Sequence, residues 1–229
     1  MISNMPDNAR QYLLKIYNKL FKSGYFPNQW SEATIIPIPK PGKNHAVPTN
    51  YRPIALTSCL CKILERMINN RLRDYLEMNG ILSSAQCGCR KHHSTIDHLV
   101  RLETEVRNAF SHGEHLIAIF YDLEKAYDTT WRFGILRDLH KCGLRGRLPK
   151  YIAAFLSKRR LRVKIDNHLS DQKDIENGVP QGSVLSVTLF AIKINQITKH
   201  ISKKDPRFSI SLYVDDLQVG YRSTDLTTI

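Results

Sequence analysis

The chain has 229 residues, 42% hydrophobic and 24% charged, enough to bury the core of one or two domains and too apolar for a disordered segment. A formal net charge of +13 points to an anionic partner. The N-terminal Met1-Ile-Ser-Asn-Met-Pro-Asp7 lacks the basic and apolar regions of a signal peptide, and no run approaches the ~18 apolar residues of a membrane span. An intracellular protein, in nucleus or cytoplasm and with no membrane partner, is therefore expected. The five cysteines are odd in number, so free thiols are the default.

In chain order, residues 8 to 23 read as a helix with Tyr12, Leu13, Ile16, Tyr17 and Leu20 on one face and Gly24 beyond its end. The stretch from Pro37 to Pro53 cannot be regular helix and suits a hairpin and loop. Residues 58 to 79 place Leu60, Ile63, Leu64, Met67, Ile68, Leu72, Tyr75 and Leu76 at helical spacing before Gly80. Cys87-Gly-Cys89-Arg-Lys-His92-His93 has a Cys-x-Cys spacing shorter than zinc motifs use, and no second pair follows. A further helix should open near Ser94-Thr95-Ile-Asp97 and carry Ile96, Leu99, Val100, Val106 and Phe110 inward.

Residues 115 to 121, His-Leu-Ile-Ala-Ile-Phe-Tyr, form a short apolar run that reads as a buried strand, and Asp122 ends it. A helix is expected from there to Gly143, another from Pro149 to Lys158, a short strand from Arg162 to Asp166, and a helix over 183 to 200 after the Gln181-Gly182 turn. From Phe208 polar and apolar residues alternate until Asp215-Asp216 interrupts, which reads as a hairpin with both aspartates at its turn. No internal repeat, low-complexity tract or linker is visible. Helices interleaved with short strands indicate an α+β fold.

The acids carry the chemistry. Asp122 on one strand and Asp215-Asp216 on a hairpin would present carboxylates at strand ends, an oxygen-rich site for two hard divalent cations suited to in-line phosphoryl transfer. An Asp-Asp pair by itself is equally an ordinary solvated turn. Residues 141 to 164 carry nine basic residues and no acidic one, ending in Lys158-Arg159-Arg160-Leu-Arg162-Val-Lys164. Such a run is a solvated basic face, a membrane-surface patch or a track for a nucleic-acid backbone.

Five segments occur in an order that resembles reverse transcriptases: Ile36-Pro-Ile-Pro-Lys-Pro-Gly-Lys43, Asn50-Tyr-Arg-Pro-Ile-Ala-Leu56, the Asp122 block Phe-Tyr-Asp-Leu-Glu-Lys-Ala-Tyr-Asp, Gly178-Val-Pro-Gln-Gly-Ser-Val-Leu185, and Tyr213-Val-Asp-Asp216. The likeness is strongest to the polymerase domain of non-LTR (LINE-type) retrotransposons of the jockey kind. The tie of Tyr-Arg-Pro-Ile to Glu-Lys-Ala-Tyr-Asp favours these over group II intron maturases and telomerases.

The resemblance implies right-hand polymerase fingers and palm, truncated before the thumb, with residues 1–30 a helical lead-in and 31–229 the reverse transcriptase domain. It implies two Mg²⁺ ions, with Mn²⁺ as a substitute, held by Asp122, Asp215 and Asp216. The Leu123 carbonyl would be a nearby ligand, and Tyr127, otherwise a core aromatic, would pack under the nucleotide sugar and exclude a 2′-hydroxyl. Lys40 and Arg52, otherwise surface charges, would clamp the triphosphate, and Gln181-Gly182 would meet nucleotide and template. Lys158, Arg159, Arg160, Arg162 and Lys164 would follow the nucleic acid.

Expected partners are an RNA template, a DNA primer, dNTPs and further domains of a longer polyprotein. The chain departs from the family near Cys89, where an aromatic is usual, near His92, where Gly-rich or basic residues are usual, and at Ser186-Val187-Thr188, where Pro is usual. A non-catalytic basic fragment of a truncated or decayed element is the alternative.

Overall fold

Where local signals agree, the elements form as the residues dictate. In the computed structural model, which describes residues 4–201, 205–225 and 227, Ser94 and Asp97 make a reciprocal capping box and α4 begins at once behind it (Thr95–Ser111). The first helix, α1 (Asp7–Ser23), stops at Gly24, whose φ of 66° lets the chain turn back and the Tyr25 N–H reach the Leu20 carbonyl at 3.1 Å.

The chain divides into two units, residues 1–72 with 131–186 and residues 73–130 with 187–229. The first holds α1, the short α2 (Asn28–Ser31), β1 (Glu32–Pro39) and β2 (Tyr51–Leu56). It also holds α6 (Arg132–Lys141), α7 (Arg147–Leu156), β4 (Arg159–Ile165), β5 (His168–Leu169) and β6 (Lys173–Ile175). Its sheet runs β2-β1-β4-β5, with β6 also on β4. Strands β1 and β2 are antiparallel, with Ile38 opposite Arg52, and β1 and β4 are parallel, with Glu32 opposite Arg160. Beside it Tyr151, Ile152 and Phe155 of α7 are fully buried, and the Phe26 ring stands edge-on to Tyr151 and Phe155.

The second unit is built on a three-stranded antiparallel sheet, ordered β3-β8-β7, from β3 (His115–Asp122), β7 (Phe208–Tyr213) and β8 (Asp216–Ser223). Helix α4 packs on it. Asn195 is buried and staples the segment before the sheet, its Oδ1 accepting from the Ser83 N–H at 2.7 Å while Nδ2 donates to the Ile81 carbonyl at 2.9 Å. Helices α3 (Cys59–Met78) and α8 (Val184–Ile194) contribute residues to both units.

Several expectations change. The helix foreseen from Asp122 to Gly143 is two, α5 (Ala126–Thr129) and α6, because Thr130 leaves helical geometry with ψ 123° while its hydroxyl donates back to the Ala126 carbonyl. The helix foreseen over 183 to 200 divides into α8 and α9 (Ile197–His200). The strand foreseen from Arg162 begins three residues earlier, at Arg159. On α1 only Tyr17 is buried, and Tyr12 and Ile16 are exposed.

On α4 the residues read as inward, Ile96, Leu99, Val100 and Phe110, are exposed, while Val106 is half-buried. The side facing the sheet instead carries Ala109 and polar groups with partners: His98 Nδ1 shares a hydrogen bond with Ser211 Oγ at 2.5 Å, and Glu105 lies 3.6 Å from Arg222. Polar groups that meet partners on the sheet take the place of the apolar stripe that periodicity assumes.

Candidate active site

Eight residues of β3 pair in unbroken antiparallel register with β8, from His115 against Ser223 to Asp122 against Asp216. The last pair sets two carboxylates directly opposite each other at the end of the sheet. Strands β7 and β8 are joined by two residues, Val214 and Asp215. Such a connection asks for φ > 0 at its first position, and Val214 supplies it at 61°, an unfavourable conformation for a β-branched residue. Asp215 is therefore the second residue of the turn and Asp216 is the first residue of β8, whereas the sequence reading put both aspartates in the turn.

Three carboxylates are thus gathered at one end of one sheet. Burial, then the charges of Asp216 and Asp122, hold the Asp215 carboxyl above the usual carboxylate range. None of the ion pairs among the described residues involves these three acids. Like charges directly opposite in a sheet are destabilising unless compensated, and oxygen-only donors favour hard cations. Among the described residues no group of three or more His, Cys, Asp or Glu is placed to hold a metal ion by itself. The donor set fits an open site of the Mg²⁺ kind, in which one or two carboxylates share the ion with substrate phosphates.

Beneath the turn, Ala126, Phe190 and Val214 form a buried cluster against which Leu123, Tyr127 and Val187 pack. The Tyr127 ring stacks on Phe190 at 5.2 Å, and burial, then Asp215 and Cys89, push its hydroxyl up to about 12. Tyr127 thus floors the aspartate turn as well as standing beside it.

Lys40, Arg52, Gln181 and Gly182 belong to the other unit. Arg52 is exposed on β2, and Lys40 Nζ donates to the Thr49 carbonyl at 3.2 Å across the β1–β2 loop. At Gly182 φ is 91° and a Cβ would lie 3.0 Å from the Ala55 carbonyl oxygen, so only glycine fits without a shift. The basic run is not one surface. Arg159 is buried, its guanidinium over the Phe155 ring at 4.9 Å and donating to the Trp30 carbonyl, so it packs the unit and is removed from the expected nucleic-acid track. Arg160 and Arg162 lie 2.9 and 3.6 Å from Glu32, while Lys158 and Lys164 are exposed.

Three supporting residues escaped the sequence reading. Glu65 is buried on α3, and its Oε2 accepts from Ser183 Oγ at 2.5 Å and from the Val184 N–H at 2.8 Å, capping the start of α8. An acid among Cys61, Leu64 and Ile68 on an apolar helix face was its available signal. Arg132 donates to the carbonyls of Gly178, Ile175 and Asn177 and so shapes the approach to Gln181; burial pushes its guanidinium down to about 10. Gln86, fully buried, accepts from the Val214 N–H at 3.2 Å. Nothing in the sequence marked Arg132 or Gln86.

A sheet that collects carboxylates at one end, with a helix packed on it, is the palm of the right-hand polymerase class. Residues 38–227 match the model of the reverse transcriptase (RNA-dependent DNA polymerase) family, and the chain belongs to that family. It is 36% identical over 226 residues to the probable RNA-directed DNA polymerase from transposon BS of Drosophila melanogaster, covering 96% of this chain and 24% of the relative. It is 33% identical to the RNA-directed DNA polymerase from mobile element jockey of the same fly, covering 97% of this chain and 24% of the relative. The chain therefore spans about a quarter of the length of these relatives. Among solved structures, telomerase from Candida tropicalis in complex with a telomeric RNA fragment aligns with a TM-score of 0.63 at 13% identity, covering 95% of this chain and 40% of that one. That likeness establishes the fold. Polymerases of this family use divalent metal ions.

Proposed function

We propose that the chain catalyses RNA-templated DNA synthesis, adding deoxynucleotides to a primer 3′-end as the polymerase core of a jockey-like non-LTR retrotransposon. The observation that carries this reading is the register that sets Asp122 opposite Asp216 beside the turn that holds Asp215. Asp122 and Asp215 would hold two Mg²⁺ ions, with Asp216 in support. When bound, such ions lower the pKa of the primer hydroxyl and neutralise the phosphates. The 3′-oxygen would attack the α-phosphorus, its proton passing to solvent water, as the bond to the leaving pyrophosphate breaks. The protein supplies orientation and charge, and no nucleophilic side chain takes part.

Tyr127 would reject ribonucleotides, Lys40 and Arg52 would bind the triphosphate, and Gln181-Gly182 would meet the base and sugar. Unit one would serve as fingers and unit two as palm, inside a longer polyprotein in nucleus or cytoplasm. Among the described residues no helix is long and apolar enough to cross a membrane. The test is labelled dNTP incorporation on a primed RNA template with Mg²⁺, beside Asp215→Asn and beside rNTPs. Incorporation confined to dNTPs and abolished in the variant is expected. Template binding without incorporation in both proteins would overturn the catalytic reading.

A further inference from the structure

The two-residue connection between β7 and β8 leaves the Val214 N–H outside the strand ladder, and an orphan donor in a buried place must find an acceptor. It finds the Gln86 side chain. Residues 85–87 run beside β7 as a short added strand: the Leu212 N–H donates to the Ala85 carbonyl at 2.9 Å and the Cys87 N–H to the Leu212 carbonyl at 2.8 Å. From this strand Gln86 turns inward, is wholly buried, and its Oε1 receives both the Gly88 N–H at 2.8 Å and the Val214 N–H at 3.2 Å. At Gly88 a Cβ would lie 2.5 Å from both the Val214 backbone nitrogen and its Cγ2, so this close approach requires glycine.

Two donors converge on one oxygen, which fixes the orientation of the amide, and Nε2 is buried with no partner. The side chain is present for its acceptor. A neutral amide accepts from Val214 without adding a fourth negative charge beside Asp122, Asp215 and Asp216. Val214 itself, buried and at a positive φ, holds a conformation that persists only when its surroundings over-determine it.

We infer that Gln86 is a positioning residue for the metal site: it pins the strained Val214 conformation and thereby fixes where the Asp215 carboxylate points. This rests on the proposed reading of the aspartates as metal ligands. The test uses the full chain with Mn²⁺ as the probe ion, following Mn²⁺ binding by titration and the Val214 amide by hydrogen exchange. Gln86→Met keeps the length of the side chain and removes the acceptor. It should speed Val214 exchange at least about ten-fold and weaken Mn²⁺ about ten-fold, the scale at which outer partners of a ligand act. Amides of residues 189–192 in the core of α8 should exchange as in the wild type. Gln86→Glu, which retains an acceptor, should keep Val214 exchange slow.

If wild-type chain takes up Mn²⁺ and Gln86→Met binds it equally well, or if the whole unit exchanges faster in step with Val214, the positioning role is overturned and Gln86 is an ordinary core residue. Wild-type chain that takes up no Mn²⁺, or takes it up unaffected by Asp122→Asn, would instead sink the metal-site reading and the positioning role with it.

Discussion

At Asp215 the electrostatics set the proposed metal-binding role against stability. Burial, then Asp216 and Asp122, raise its carboxyl in the folded chain, so the folded state binds its proton more tightly than the unfolded state does. The stabilising contribution is complete below the unfolded pKa and is lost as pH rises through the raised folded value. At neutral pH without divalent cations the ionised group therefore costs stability. Asp215→Asn should raise the apo-protein's melting temperature there, with solvent screening at this half-exposed site keeping the gain below about 1 kcal/mol, or roughly 2–4 °C. The gain should vanish near pH 4. Adding Mg²⁺ should stabilise the wild type and leave the variant unmoved, because only a ligand that binds the folded state shifts unfolding. Thermal unfolding at the two pH values, with and without Mg²⁺, checks all three statements.

Among the elements, α8 depends on a residue distant in sequence. Glu65 accepts from the hydroxyl of Ser183 and the N–H of Val184, receives the Cys61 thiol at 3.1 Å, and its negative charge acts on the buried Arg159. Glu65→Ala should cost about 3–5 kcal/mol in urea unfolding, since it orphans helix donors and leaves Arg159 uncompensated. Combining it with Arg159→Met should cost less than the sum of the separate changes, and additivity would show that the two do not interact. This network also shows what sequence could reveal. Residues 58 to 79 announced α3 through their apolar spacing, and the words around Asp122 and Asp215 announced the strands that bring these acids to one end of a sheet, because both signals are local. The polar inward face of α4, the burial of Arg159, and the partnerships of Gln86 and Glu65 depend on residues far away in the chain. No periodicity records them.

For the molecule as a whole, net charge promised a polyanion partner, and the structure sorts which cations remain for one. Lys158 and Lys164 are exposed, Arg160 and Arg162 share Glu32, and Arg159 is enclosed by the Phe26 and Phe155 rings. Each phosphate contact releases counterions, so affinity for a primed RNA template should fall linearly on a log–log salt plot. Lys158→Ala and Lys164→Ala should each lower the magnitude of that slope by about 0.7–0.9 with little change in melting temperature. Arg160→Ala should change the slope less, because Glu32 already competes for its charge. Arg159→Ala should leave the slope of the folded fraction unchanged while lowering stability by about 2–5 kcal/mol, through the lost packing of its side chain and a Trp30 carbonyl and Glu65 carboxylate left without their cation. Anisotropy titrations over a range of KCl, run beside thermal unfolding of each variant, separate the two kinds of basic residue. A slope that fell with Arg159→Ala as it does with Lys158→Ala would mean that the buried guanidinium reaches the nucleic acid after all.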